Sequence, residues 1–326
     1  MLKYRTMSSN SKYFDQTNMF LEPKVTQYGS HMVMTDVVMP TKTKYLSIDT
    51  RFRDKYDSSS VADYIITLPE RVNNVRSMEL QSVQFHLVQP QIGDWCGNNC
   101  FELTIGSITK TVRLDNKNYT LWSDLVTDVQ AKINALGAPF DNSGSAGVAY
   151  AINSTATKGS KEYGQASFTN NNGSACTITF DKSDCTRPSA SKGQKFGYLS
   201  GFRLNEYTIE NGETQSSESI IVIDFDNYYY LIIDEFSNAN PHSFMAPLTS
   251  SELSSQQIIG RITRPNGRVG WDKIVADKNQ NLIADIRKYS NEINIQRLRV
   301  QLVNPFGKVL DLHGRDIQFC LKLEYL

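Results

Sequence analysis

The sequence predicts a mostly β chain with one helix and an extended N-terminal arm. Short runs alternate apolar and polar residues, as at Leu46 and Ile48 and at Phe101, Leu103 and Ile105, and residues 64–68 form a further short strand-like run. Alternation with period two marks half-buried strands. Sixteen tyrosines and fifteen phenylalanines, with many Thr, Val and Ile residues, also lean toward sheet. A helical period is clear only at residues 119–137.

A chain of 326 residues can bury one large β core or two smaller ones. Thirty-four basic and 34 acidic side chains cancel, so no global field draws the protein to nucleic acid or an anionic membrane. A hydrophobic fraction of 40% excludes disorder throughout. No apolar run approaches the roughly 18 residues of a membrane span, so no direct membrane insertion is expected. The polar start, MLKYRTMSSNSKYFDQ, lacks the apolar core of a signal peptide.

Residues 1–43 read as an extended arm, because they show neither strand nor helix period. Their scattered apolar residues, among them Phe14, Met19, Phe20, Leu21, Met34 and Val38, suit a segment that orders on a neighbouring subunit. Residues 44–326 are expected to form the β domain. Its opening predicts three strands, with Pro69 stopping the second and Asn73-Asn74 turning the chain into the third. The apolar phase slips between Leu80 and Val83, which predicts a bulge or a strand covered on both faces. Gly106-Ser107 turns a hairpin, and Thr120 is the expected N-cap of the helix that Gly137 ends.

Residues 138–195 read as a loop-rich insertion with short strands near 148–152, 166–169 and 176–180. Asn171-Asn172-Gly173 is the expected hairpin turn between the last two. Residues 219–236 predict two apolar strands broken at Asp226-Asn227, with Tyr228, Tyr230 and Ile232 on one face. A strand at 258–262 and a turn at Pro265-Asn266-Gly267 follow. Bulged alternation from Ile293 to Leu302 and a clean strand from Ile317 to Tyr325 close the chain, returning to pair near the start as a Greek-key sandwich requires.

No catalytic constellation emerges, so an enzyme is not expected. The histidines at 31, 86, 242 and 313 are scattered, and no GxSxG elbow, Walker loop or GxGxxG fingerprint occurs. Asp224 with Asp226 could suit calcium or a hydrolase, yet the calcium-loop pattern is missing and solvated strand ends account for them better. Neither a metal nor a cofactor is predicted. The five cysteines, at 96, 100, 176, 185 and 320, are odd in number and read as thiols, with a disulfide or a zinc site as alternatives. Arg297 and Arg299 alternate with Leu298 and Val300, so they should face outward and contact another subunit rather than a nucleic acid.

One stretch carries a family resemblance. SIDTRFRD, then residues 64–69 (YIITLP), then residues 74–80 (NVRSMEL) with Ser82-Val83, resembles the opening of the minor capsid and penton proteins of large nucleocytoplasmic DNA viruses. Looser similarity continues through Asn118-Tyr119-Thr120 and the last thirty residues. The resemblance implies a jelly-roll sandwich and a structural virion protein, a minor capsid or penton subunit. It would sit in the icosahedral capsid shell, be assembled in the host cytoplasm, and have the major capsid protein and other minor capsid proteins as partners. A homopentamer is implied for the penton case. The competing expectation is a receptor- or glycan-binding sandwich on a virion surface, with Trp95, Tyr163 or Trp271 stacking on sugars.

Overall fold

The longest strand of the fold runs through two positions that the sequence marks as stops. Strand β4 (Asp63–His86) is continuous over 24 residues, where a break at Pro69 and a turn at Asn73-Asn74 were expected. Bulges against β16 (Arg287–Val303) explain the difference. Arg297 lies opposite Thr67 and Ile295 opposite Val72, so residues 68–71 face Gln296 alone. Pro69 thus sits where no ladder donor is needed, and Gln296 Nε2 donates to the Leu68 carbonyl at 2.8 Å. Ile293 lies opposite Val75, so residues 73 and 74 face Asn294. Asn74 takes a left-handed φ of 55°, and its N–H donates to Asn294 Oδ1 at 3.0 Å. A third irregularity leaves Gln81 unmatched between Leu80, opposite Leu321, and Ser82, opposite Cys320. This is the phase slip read between Leu80 and Val83.

The computed structural model describes residues 24–26, 29–31, 40–95, 97–181, 195–224, 226–237, 257–265 and 273–326. Its largest sheet is antiparallel. From one edge its order is β3 (Lys42–Asp49), β17 (Gln318–Tyr325), β4, β16, β12 (Tyr228–Asp234), β13 (Ile258–Thr263) and β15 (Leu282–Ala284). The first part of β4 pairs with β16, and its far end pairs with β14 (Lys273–Asp277). The sheet curls back on itself. Phe85 of β4 meets Tyr229 of β12 edge-on at 5.8 Å, and a Cβ on Gly260 of β13 would lie 2.7 Å from Leu80 Cδ2. Strands apart in the ladder therefore face each other across one core that includes Leu80, Leu231, Val300 and Leu321. The architecture is the all-β, jelly-roll-type antiparallel sandwich that was expected, with β17 returning to β3 and β4.

Strand β12 is covered on both faces, which explains its unbroken apolar run. Tyr229, Leu231 and Ile233 enter the main core, while Tyr230 and Ile232 join Ile258 and Val303 behind it. Tyr228 packs on that second cluster, as its alternation required.

Residues between Ile92 and Ile221 close a separate core. Hairpin β5 (Cys100–Ile105) and β6 (Ile108–Arg113) turns at Gly106-Ser107 as read. Helix α1 (Trp122–Asn134) buries Leu125, Val129 and Ile133, each contributing roughly 1.5–3 kcal/mol on leaving water. Thr120 does not cap it; the N-cap is Leu121, which offers no side-chain bond. The Trp122 ring at its first turn packs over Gly164 and on Tyr163. Gly137, at a φ of 74°, follows the last turn.

The Asn171-Asn172-Gly173 turn joins two sheets and is not a hairpin. Strand β8 (Gln165–Asn170) pairs with β7 (Val148–Ile152) and β11 (Thr214–Ile220), whereas β9 (Cys176–Thr179) pairs with β5 and β10 (Glu206–Ile209). The links β8–β9 and β10–β11 thus fold over together at one corner. Buried Asn170 holds that corner: its Nδ2 donates to the Ser174 and Ile209 carbonyls, both at 2.8 Å. Stacked rings fill the interior, among them Phe101 on Phe196 at 5.1 Å, the latter from the short helix α2 (Phe196–Leu199). Residues 221–224, expected as strand, are an irregular connection back to β12. There Ile221 N–H donates to Gly164 and Val222 N–H to Leu199, so neighbouring residues bond to different segments.

Within the N-terminal arm, β1 (Lys24–Thr26) pairs antiparallel with β2 (Gly29–His31). The turn at Pro265-Asn266-Gly267 lies largely outside the described residues.

Candidate interaction surface

The residues of SIDTRFRD form the corner between β3 and β4, and most of their polar groups are engaged there. Asp49 accepts from the Arg51 N–H at 2.9 Å and from its guanidinium at 2.7 Å. That guanidinium holds the Asp49 carboxyl below the usual carboxylate range, against a smaller opposing effect of burial. Thr50 is fully buried. Its hydroxyl donates to Asp316 at 2.8 Å and accepts from the Ile317 N–H at 3.1 Å. Asp54 accepts from both the N–H and the hydroxyl of Thr67, and Arg53 donates to the Thr50 and Tyr56 carbonyls. Arg51 and Phe52 are left facing outward, with Phe52 74% exposed.

This corner opens onto a cavity of about 360 Å³ at one end of the main sheet. Strands β3, β17, β4 and β14 end there side by side. Asp49 lies opposite Gln318, Gln318 opposite Gln84, and His86 opposite Lys273. Gln84 and Gln318 bond to each other through their side chains. Arg51, Lys273, Arg315 and Asp316 line the opening. Among the described residues, neither Lys273 nor Arg315 has a side-chain partner. Nothing in the sequence signals this gathering, because Arg51, Lys273 and Arg315 come from three distant segments.

A second recess, of about 550 Å³, surrounds the bulge of β16 at residues 288–292. Its walls are more fully paired: Arg76 meets Glu292 at 3.1 Å, and Ser77 donates to Glu324.

Of the expected assembly residues, Phe14, Met19, Phe20, Leu21, Met34 and Val38 lie outside the described residues. Arg297 and Arg299 are exposed on β16, as their alternation required. Arg299 donates to both Asp63 oxygens at 3.1 Å, and Arg297 lies 5.7 Å from the centre of the Phe236 ring. The two aspartates differ in setting, and Asp224 is the exposed one. Asp224 bridges to buried Arg264 at 2.7 Å, and burial pushes the Asp226 carboxyl up to about 6. Both sit on the connection returning from the second core, where Asp226 is half-buried.

His86 lines the cavity, and His313 lies 3.1 Å from Asp311. Among the described residues, no group of three or more His, Cys, Asp or Glu side chains is placed to hold a metal ion. The cysteines are not all thiols. Cys100 is disulfide-bonded, while Cys176 and Cys320 are free. Of the aromatics considered for sugar stacking, Trp95 is half-buried and donates through its indole N–H to Pro90, and Tyr163 packs on Trp122 at 5.3 Å. Trp271 lies outside the described residues. No helix among the described residues is long and apolar enough to cross a membrane.

No protein-family model matches the chain, and no curated protein matches it. Solved structures do show similarity. The chain is similar to the selenomethionine-labelled penton protein of mavirus at 11% identity and a TM-score of 0.40, over 87% of this chain and 100% of that one. It is also similar to a chain of the Sputnik virophage determined by cryo-EM, at 13% identity and a TM-score of 0.37, over 88% of this chain and 98% of that one.

Proposed function

We propose that the protein is a structural virion component, a minor capsid or penton subunit that assembles with neighbouring capsid proteins. The observation that carries this reading is the use made of the SIDTRFRD stretch. In the resembling segment the polar groups of Asp49, Thr50, Arg53 and Asp54 bind the fold's own corner. A segment spent on locking strand ends together supports a scaffold role better than a catalytic one. The sandwich then serves as a rigid block, and contacts come from the arm and from the exposed faces of the two cores. Affinity would arise from many modest interfaces multiplied by symmetry rather than from one pocket. In the penton case five copies would form a ring through head-to-tail contacts.

The arm supplies the test. Deleting residues 1–43 should leave a folded body, because both cores are built from residues beyond 45, but should abolish incorporation into the parent particle. A truncated protein that is folded by circular dichroism and still incorporates normally would overturn the reading. Light scattering of the intact protein separates the finer alternatives, since a ring of five copies of the 36.8 kDa chain has a distinct mass.

A further inference from the structure

We infer that the cavity at the end of the main sheet is a docking site for an acidic segment of a partner protein. One or two of the partner's carboxylates would enter between Arg51, Lys273 and Arg315. Three observations meet there. The first is charge: these three cations line a cavity of about 360 Å³. Its one lining carboxylate, Asp316, is already engaged by the Thr50 hydroxyl at 2.8 Å. The second is availability. Arg51 is shared with Asp49, but Lys273 and Arg315 have no side-chain partner among the described residues. The third is Phe52, which follows Arg51 on the same corner and is 74% exposed, an apolar surface open to the same partner.

A cation pair with an adjacent aromatic suits a peptide that brings both carboxylates and an apolar side chain. Asp316 within the same cavity disfavours a compact, doubly charged phosphate. Nucleic acid would need a basic stripe following its backbone, whereas here the cations converge on one opening in a chain of zero net charge. The site is held rigidly from below, since Thr50 ties the Asp316 loop to the β3 corner through two hydrogen bonds. Little ordering is then required when a partner binds. This inference does not depend on the virion reading, because it concerns binding by the isolated chain.

The experiment is a titration of the full chain with a fluorescein-labelled hexaglutamate peptide at low and moderate salt. Inorganic phosphate and a single-stranded oligonucleotide serve as competitors. Binding that weakens with salt should fall about tenfold in each of Lys273→Gln and Arg315→Gln. It should stay unchanged in Lys110→Gln, a control on exposed β6. Both cavity substitutions are at exposed side chains, so unfolding does not confound them, and a thermal melt of each variant checks this. Equal binding by all variants would overturn the inference. So would displacement of the peptide by millimolar phosphate, or preference for the oligonucleotide with the same variant dependence.

Discussion

Arg287 and Glu235 form an ion pair at 2.7 Å with both side chains almost wholly buried. The guanidinium also donates to the Ile233 and Gln257 carbonyls, at 2.8 and 2.7 Å. It therefore ties the first residue of β16 to β12 and to the start of β13. Burial raises the Glu235 carboxyl above its usual range even though the Arg287 charge acts the other way. Desolvation thus outweighs attraction on the acid's side, as is common for interior pairs.

The first prediction concerns that pair. Glu235→Leu alone leaves a buried, unpaired guanidinium and should cost about 3–5 kcal/mol. Removing both charges, as Glu235→Leu with Arg287→Met, should recover a large part of that loss. Chemical denaturation of the two variants and the parent measures it. A double variant no more stable than Glu235→Leu would mean that the carbonyl bonds of Arg287, not its charge, hold β16 in place.

A second prediction tests the curl of the sheet. Gly260 has no room for a side chain because Leu80 packs against it from across the core. Gly260→Ala should destabilise by about 1–3 kcal/mol through overpacking. Leu80→Ala creates a cavity of its own and should cost about 2–5 kcal/mol. If the two positions face each other, the double variant should lose clearly less than the sum of the two single losses. Strict additivity would place Leu80 elsewhere.

The third prediction addresses the bulge that lets β4 continue. Asn74 holds a left-handed φ that Asn tolerates and β-branched residues do not. Asn74→Val should cost about 1–3 kcal/mol, while Asn74→Gly should be nearly neutral. If Val and Gly behave alike in thermal melts, the backbone there is not left-handed.

Much of the fold was legible because its strands are half-buried and alternate. Ile317 to Tyr325, the hairpin at Gly106-Ser107 and the shared face of Tyr228, Tyr230 and Ile232 could all be read from period alone. Three of the readings that failed share one physical cause. Pro69, Asn73-Asn74 and Asn171-Asn172-Gly173 are local stop or turn signals, and local signals do not report what lies opposite. Pro69 fits a bulge supplied by Gln296, and the Asn-rich turn became a corner because buried Asn170 bonds to Ile209. The cavity at Arg51 was illegible for the same reason, since only folding brings Lys273 and Arg315 to it. Arg297 and Arg299 could be placed outward from their spacing, but their partners Phe236 and Asp63 could not.

The last prediction is a pH dependence set by Asp226. Burial lifts this carboxyl from 3.8 to about 6, with the Asn304 side chain beside it acting weakly the other way. Its neighbours are Tyr229 and the Asp224–Arg264 bridge. An acid whose pKa is higher in the folded state favours folding while it is protonated. Its contribution is therefore full below about pH 4 and is lost as pH rises through 6. At neutral pH the charged form costs on the order of 3 kcal/mol. Asp226→Asn removes that cost, so the variant should be more stable than the parent at pH 7.5. The difference should shrink as pH falls and vanish near pH 4. Melting temperatures of both proteins between pH 4 and 8 measure it. A difference that stays constant with pH would show that Asp226 is not desolvated on the connection between the two cores.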